Sequence, residues 1–243
     1  MGMLRGFLNT LTDIVYPKVC IACKRHLKGI TSVDELVCGE CWKKIKKNAP
    51  PFCRSCGRHL ERPVTKSICP ACVRKSLYFD RAFSPCVYEG VIKDLIHAFK
   101  YRGKDHLGPA LGNLMAQFVE DYTLPMDMMD LIIPVPLHKT RLREREFNQA
   151  AVLSSHVAGK FKKEMSPEAL KRVRNTKTQT DLQPDKRLLN VKGSIAVSAE
   201  KDLKGKNILL IDDVLTTGAT CSEAALALKN AGANIVFVLT LAN

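Results

Sequence analysis

The 243-residue sequence has no run of about 18 continuous apolar residues, so no membrane-spanning helix is expected. Its opening, MGMLRG, lacks the charged head, apolar block and small-residue cleavage site of a secretory signal. It also places Gly6 where a myristoylation signal needs Ser or Thr. A soluble, cytoplasmic protein is expected. No G-x-x-x-x-G-K-[ST] occurs, which excludes a P-loop. Acidic residues are in short supply, 24 against 38 Lys+Arg. The deficit is uneven: residues 1–85 hold 16 Lys+Arg against 6 Asp+Glu, and residues 86–243 hold 22 against 18. A basic N-terminal third suits phosphate-rich partners, because each cationic contact releases condensed counterions. The same surplus would also offset the negative charge of metal-bound thiolates. Hydrophobic residues make up 46%, enough for a buried core and against wholesale disorder.

Cysteine is plentiful. Eight of ten cysteines form four C-x-x-C pairs: Cys20/Cys23, Cys38/Cys41, Cys53/Cys56 and Cys69/Cys72, separated by 14, 11 and 12 residues. A C-x-x-C turn aims two thiolates at one ion, and a second such turn closes a tetrahedral site. Four pairs therefore predict two structural Zn2+ sites, with sequential pairing the simplest; spacing alone also allows crossed pairing. Disulfides need an oxidising compartment, and iron–sulfur proteins of the ferredoxin type have tighter cysteine runs. Closed all-cysteine sites have no open coordination position, so their role is in folding, not catalysis. Cys86 and Cys221 stand apart and read as small core residues. Ahead of Cys20, Leu4, Phe7, Leu8, Leu11, Ile14 and Val15 recur at helical spacing up to Pro17. Trp42 and the lysines after it could stack on and hold single-stranded nucleic acid, or form a solvated turn of helix.

From about residue 83 the pattern changes. AFSPCVYEG reads as strand and turn, VIKDLIHAFKYRG and GPALGNLMAQFVEDY as helices, and MDLIIPVPL as a buried strand. NQAAVLSSHVAGKF is a helix with Asn148 as N-cap, and NILLIDDVL is a second buried strand. CSEAALALKNAG is a helix closed by Gly232, and NIVFVLTLA is a last strand. All-apolar strands alternating with helices predict an α/β fold: a parallel sheet covered on both faces, preceded by the small cysteine-rich module. The expected boundaries are 1–80 for the helix and double zinc ribbon and 81–243 for the α/β domain.

Ligands of such sheets bind beyond the carboxyl ends of the strands. Asp212 and Asp213 sit at that end, and Leu215, Thr216, Thr217, Gly218, Ala219 and Thr220 form the loop into the next helix. Backbone amides, hydroxyls and the positive end of the helix make a phosphate cradle. Two carboxylates beside it imply a group in between, and a ribose 5-phosphate fits: phosphate in the loop, vicinal hydroxyls on the acids.

ILLIDDVLTTGAT resembles the signature of type I phosphoribosyltransferases, which bind phosphoribosyl pyrophosphate (PRPP). With the stretches IHAFKYRG, DLIIPVPLHKTRLREREFNQA and LKRVRNTKTQTDLQPDKRLLNVKG, and the cysteine module in front, nearly the whole chain resembles the ComF family. The resemblance implies a type I phosphoribosyltransferase-like fold, PRPP or a related ribose 5-phosphate as ligand, Mg2+ with PRPP, and a role in DNA uptake during natural transformation. Single-stranded DNA and a DNA-uptake helicase or translocation machinery are the implied partners. His138, Lys139 and Arg141 would occupy the pyrophosphate loop; a solvated basic face is the alternative for this stretch. Arg172, Arg174, Thr176 and Gln179 would belong to a mobile catalytic loop, with Asp212, Asp213, Arg172 and Arg174 the catalytic set; a plain surface loop over 171–187 is the alternative. Glu146 stands where the family has Gly; if that position needs a positive φ, Glu is strained there. Other expectations are an active, Mg2+-dependent phosphoribosyltransferase of nucleotide metabolism with an unknown acceptor, and a non-catalytic PRPP-sensing regulator.

Overall fold

The structure, a computed structural model, describes residues 18–61, 67–101, 104–176, 190–199 and 202–243. The helix expected before Pro17, Gln179 and most of the 171–187 loop lie outside the described residues.

Four cysteine turns, gathered in two pairs, come first. The short strands β1 (Ser32–Val33) and β2 (Val37–Cys38) pair antiparallel and lead into helix α1 (Gly39–Lys43); helix α2 (Pro70–Val73) closes the second turn pair. Strand β3 (Arg81–Phe83) then enters the main sheet. Helices α3 (Gly90–Tyr101) and α4 (Gly108–Asp121) follow, then β4 (Leu131–Pro134), α5 (Lys139–Arg145), α6 (Gln149–Phe161) and β5 (Glu164–Met165). β6 (Leu170–Arg172) and β7 (Ile195–Val197) form an antiparallel pair, and β8 (Asn207–Val214), α7 (Ala219–Asn230) and β9 (Ile235–Ala242) complete the order.

The main sheet runs β3-β9-β8-β4-β5, every pairing parallel, with Ile132 opposite Leu209 and Leu209 opposite Phe237. This is the parallel, two-face-covered sheet that the apolar strands predict. Strand alternation sorts β8: Leu209 and Ile211 join the core under α3, α4 and α6, while Ile208 and Leu210 join the one under α7. Helix α3 is anchored by fully buried Ile92, Leu95, Ile96 and Phe99. Asn148 caps α6 as expected, its side chain accepting from the Ala150 amide at 3.1 Å.

The cysteine turns are built into this body. Cys20, Val37, Cys41 and Ile45 share one core with Phe99, Leu111 and Leu239. Phe52 packs edge-on against Phe118 and Tyr122, at 5.9 and 5.1 Å between ring centroids. The Ala82 amide donates to the Ser55 carbonyl (2.8 Å) and the Val87 amide to the Lys46 carbonyl (2.9 Å). Asn243 ties the parts together: its Oδ1 accepts from Asn48 Nδ2 (2.9 Å) and its Nδ2 donates to the Cys56 carbonyl (3.0 Å). Gly57 is required at its place. Its φ is +70°, and a Cβ there would lie 2.4 Å from the Ala82 carbonyl oxygen.

Candidate functional site

The eight paired cysteines gather as two four-thiol clusters, Cys20/Cys23/Cys38/Cys41 and Cys53/Cys56/Cys69/Cys72, each with all sulfurs within 4.8 Å of one another. The pairing is therefore sequential. Zn–S bonds of about 2.3 Å in a tetrahedron put sulfurs ~3.8 Å apart. Cys23 and Cys38 sulfurs are 3.8 Å apart and those of Cys56 and Cys69 3.7 Å, so the donor sets fit zinc. Backbone amides support them: Cys38 N donates to Cys20 Sγ and Cys69 N to Cys53 Sγ.

At the carboxyl ends of the adjacent strands β4 and β8 lies a cleft of about 350 Å³. Asp212, Asp213, Val214, Thr216 and Thr220 line it from β8 and its loop; Val135, Pro136, Leu137, Arg141 and Arg145 line it from β4 and α5. Arg172, Tyr88, Lys93, Lys100 and Tyr101 complete the wall. The strand period turns the two acids to opposite faces, and each finds a different partner. Asp213 meets Lys100 of α3, Nζ to Oδ2 2.8 Å, both side chains largely buried. Asp212 Oδ2 accepts from the Cys221 thiol of α7 at 3.7 Å, and its Oδ1 from the Asp213 amide at 2.8 Å. Burial, then the Asp213 charge, pushes the Asp212 carboxyl up to about 7. Burial opposes the Lys100 charge, but Asp213 and Asp212 outweigh it and hold the ammonium above the usual lysine range.

The loop after β8 is shaped for backbone donors. Gly218 has φ +80° and caps α7, so the chain turns with the 219–220 amides at the helix start. Leu215 and Ala219 are buried and hold the loop; Thr217 is buried and its Oγ1 accepts from the Ala219 amide. Only Thr216 and Thr220 of the loop line the cleft. The second cysteine turn presses on the loop's other side: Leu77 and Phe79 lie against Gly218, and Lys75 Nζ donates to the Thr217 carbonyl.

The predicted basic residues divide. The KTRLRER stretch is helix α5, and an i,i+4 spacing puts Arg141 and Arg145 into the cleft together. Lys139 is exposed outside the cleft, and His138 is the α5 N-cap, its Nδ1 accepting from the Thr140 amide at 3.3 Å. Arg141 donates to the Thr176 carbonyl (3.0 Å) and Arg172 to Thr176 Oγ1 (2.7 Å), so Thr176 gathers two of the cleft's guanidinium groups. Burial, with Arg141 nearby, lowers the Arg172 pKa. Arg174 turns away, donating to the carbonyls of Asn190 and Lys192. Glu146 has φ +68°, the left-handed backbone that its place in a glycine position foretold. Sequence reasoning missed Lys100, Arg145 and Tyr101; the Arg145 guanidinium lies 5.1 Å from the Tyr101 ring centroid. Lys100 follows an apolar helical face by one residue, a faint signal that only the packing of α3 on the sheet makes useful. Cys221, expected as plain core, also hydrogen-bonds to a cleft acid.

Residues 11–75 match the double zinc ribbon domain family, and residues 148–243 the phosphoribosyl transferase domain family. Competence protein ComFC of Bacillus subtilis is 32% identical over 233 residues, 90% of this chain and 91% of its own length. Competence protein F of Haemophilus influenzae is 29% identical over 226 residues, 92% of this chain and 96% of its own. The DNA utilization protein YhgH of Escherichia coli K12 is 29% identical over 225 residues, 92% and 89% of the two chains. With two four-cysteine clusters in front of a parallel sheet, and with 32% identity to ComFC over nine-tenths of both chains, the protein belongs to the ComF family.

Proposed function

We propose that the cleft binds PRPP or a related ribose 5-phosphate, and that the chain acts on single-stranded DNA during DNA uptake or utilization in the cytoplasm. One observation carries the ligand reading: Asp212, Asp213, the Thr216 and Thr220 hydroxyls, and Arg141, Arg145 and Arg172 line a single cleft. The 5-phosphate rests at the start of the 12-residue helix α7, where loop amides and the helix dipole favour an anion. Ribose hydroxyls donate to the acids, and the pyrophosphate faces the three guanidinium groups. If transfer occurs, the C1–O bond to pyrophosphate breaks, the leaving group departs with the electron pair, and the acceptor's nucleophile bonds to C1. Arg141, Arg145 and Arg172 stabilise the departing charge. Magnesium, which the family resemblance implies, would come in on the ligand's diphosphate beside the acid pair; Lys100, Cys221 and a backbone amide each meet one of three carboxylate oxygens there, and each of those oxygens can take a second contact. No step is routed through it.

The DNA reading is supported by the names of the relatives and by the exposed Lys43, Lys44, Lys46 and Lys47 beside the first cysteine cluster. Trp42 is half-buried against the core, so these lysines carry the reading without an open stacking ring. A helicase or translocation machinery of DNA uptake would be the protein partner. No helix among the described residues is long and apolar enough to cross a membrane.

Calorimetric titration of the zinc-loaded protein with PRPP tests the ligand reading, with the Asp212→Asn/Asp213→Asn double variant as control. Binding by the wild type that the variant loses supports it. Equal affinity in both places the ligand elsewhere.

A further inference from the structure

A second cavity, of about 410 Å³, lies between the threonine loop and the second cysteine cluster. Residues 215–218 of the loop line it, with Cys56, Cys72, Arg58, Lys75 and Leu77 from the cysteine module and Tyr88 from the segment after β3. Its size falls within the roughly 300–1,000 Å³ of small-ligand sites. Tyr88 and Thr216 also line the acid cleft, so the two spaces adjoin. The walls are tied together by hydrogen bonds. Lys75 Nζ donates to the Thr217 carbonyl at 3.4 Å, and the Tyr78 amide donates to Ser222 Oγ at 3.0 Å. Asn243 Nδ2 donates to the Cys56 carbonyl at 3.0 Å, and the Tyr88 amide donates to the Asn243 carbonyl at 3.0 Å.

No Asp or Glu lines this cavity. Residues 53–75 hold six Lys+Arg against one Asp+Glu, a surplus of five. Four thiolates on one Zn2+ leave two negative charges, so the zinc site accounts for two of those cations and three are in excess. Among the described residues, neither Arg58 nor Lys75 makes a salt bridge. The cavity therefore suits an anion. Leu77, Leu215 and the Tyr88 ring give it an apolar and aromatic wall as well. An anion carrying a flat ring is a nucleotide: cations meet its phosphate and the aromatic wall its base. The approach is basic too. Lys47 pairs with Cys86 and the Lys46 carbonyl accepts from the Val87 amide, so the lysine run 43–47 ends against the residues next to Tyr88. An occupant that follows this route is a strand, not a free nucleotide.

We propose that this cavity seats one nucleotide of a single DNA strand, its base against Tyr88 and Leu77 and its phosphate met by Arg58 and Lys75. This rests on the DNA reading above and is independent of the PRPP reading. The lysines at 43–47 guide the strand, and the cavity grips it. Through Tyr88 and Thr216 the gripped nucleotide lies next to whatever the acid cleft holds.

The test is photocrosslinking of the full zinc-loaded chain to an oligothymidylate carrying 5-iododeoxyuridine, with the crosslinked residue located by peptide mass spectrometry. A crosslink at Tyr88 is expected. Fluorescence anisotropy with the same strand should show Tyr88→Ala losing about tenfold in affinity and Tyr88→Phe staying within about twofold of the wild type. Arg58 and Lys75 line the cavity and not the cleft, so they separate the two spaces. The Arg58→Gln/Lys75→Gln variant should make the log–log salt slope shallower by about 1.4. Crosslinks confined to other residues, such as the 42–47 run, or a folded double variant with an unchanged slope, overturn the role of the cavity and leave the DNA reading standing. A strand that does not bind at all overturns the DNA reading, and the cavity's role with it. Because the crosslink is read on the wild type, a variant that fails to fold does not shield the proposal.

Discussion

Changing Gly57 to Ala tests whether the second cysteine turn is part of the same body as the sheet. A Cβ at Gly57 would lie 2.4 Å from the Ala82 carbonyl oxygen, 3.0 Å from its carbon and 3.1 Å from Phe83 Cα. All three are backbone atoms of β3 and cannot rotate aside. Gly29, between the two cysteine turns of the first cluster, has nearly the same backbone, φ +72° against +70°, but nothing within 4 Å of its Cβ position. The left-handed conformation costs an L-residue roughly 1–2 kcal/mol at either site. Only Gly57→Ala adds the overpacking of a fixed wall, about 1–3 kcal/mol. The difference, about 2 kcal/mol, corresponds to roughly 4–8 °C in Tm for a chain of this size. Scanning calorimetry of both variants, with zinc content checked by a colorimetric displacement assay, measures it. Two zinc ions per chain should remain in each. Equal Tm values for the two variants would refute the seating of the second turn on β3.

Asp213→Asn strands the Lys100 ammonium, and urea titration should show a loss of about 3–5 kcal/mol that Asp213→Asn/Lys100→Met largely recovers. Asp212 gives a pH signature. Its folded carboxyl stands near 7 against an ordinary 3.8, so the native state holds a proton that the unfolded chain releases, and stability falls as pH rises through that window. Affinity for a ligand that donates hydroxyls to the carboxylate should rise from about pH 6 to about pH 8, and Asp212→Asn should flatten both curves. For DNA, fluorescence anisotropy with a labelled single strand should show affinity falling steeply with salt. Replacing Lys43, Lys44, Lys46 and Lys47 with Gln should make the log–log slope shallower by about 3, and an unchanged slope removes those lysines from the interface.

The strands and the acid–threonine loop were legible because their chemistry is consecutive: Ile208 to Ile211 can only be buried, and two acids at such a strand end need a reason. The cysteine turns were legible because a metal site sets its own spacing. What stayed hidden depends on local competition or on distant packing. The resemblance implies a pyrophosphate loop at His138, Lys139 and Arg141, and the residues themselves do not announce the local fold of that run. It is a helix, and a helix needs a cap, so His138 turns to the Thr140 amide while Arg141 and Arg145 inherit the cleft. Arg174 lies just past β6, whose pairing with β7 carries it toward the 190–192 backbone. That pairing joins two three-residue strands with no clear alternation to announce them. Lys100 and Asp213 are far apart in the chain, and only the docking of α3 on the sheet brings them together.

The edge of the main sheet beside β9 is not left open. Residues 80–88 run along it, from the Asp80 amide on the Val236 carbonyl to the Tyr88 amide on the Asn243 carbonyl. That segment hands its own outer hydrogen bonds to the cysteine turns, through Ser55, Lys46 and Asn48. Left bare, the outer side of that segment would be a template for pairing with another chain. The ribbons thus end the sheet in tight metal turns that cannot extend it. Metal loss would therefore act on solubility, because it frees the outer edge of residues 80–88 that Ser55, Lys46 and Asn48 now hold.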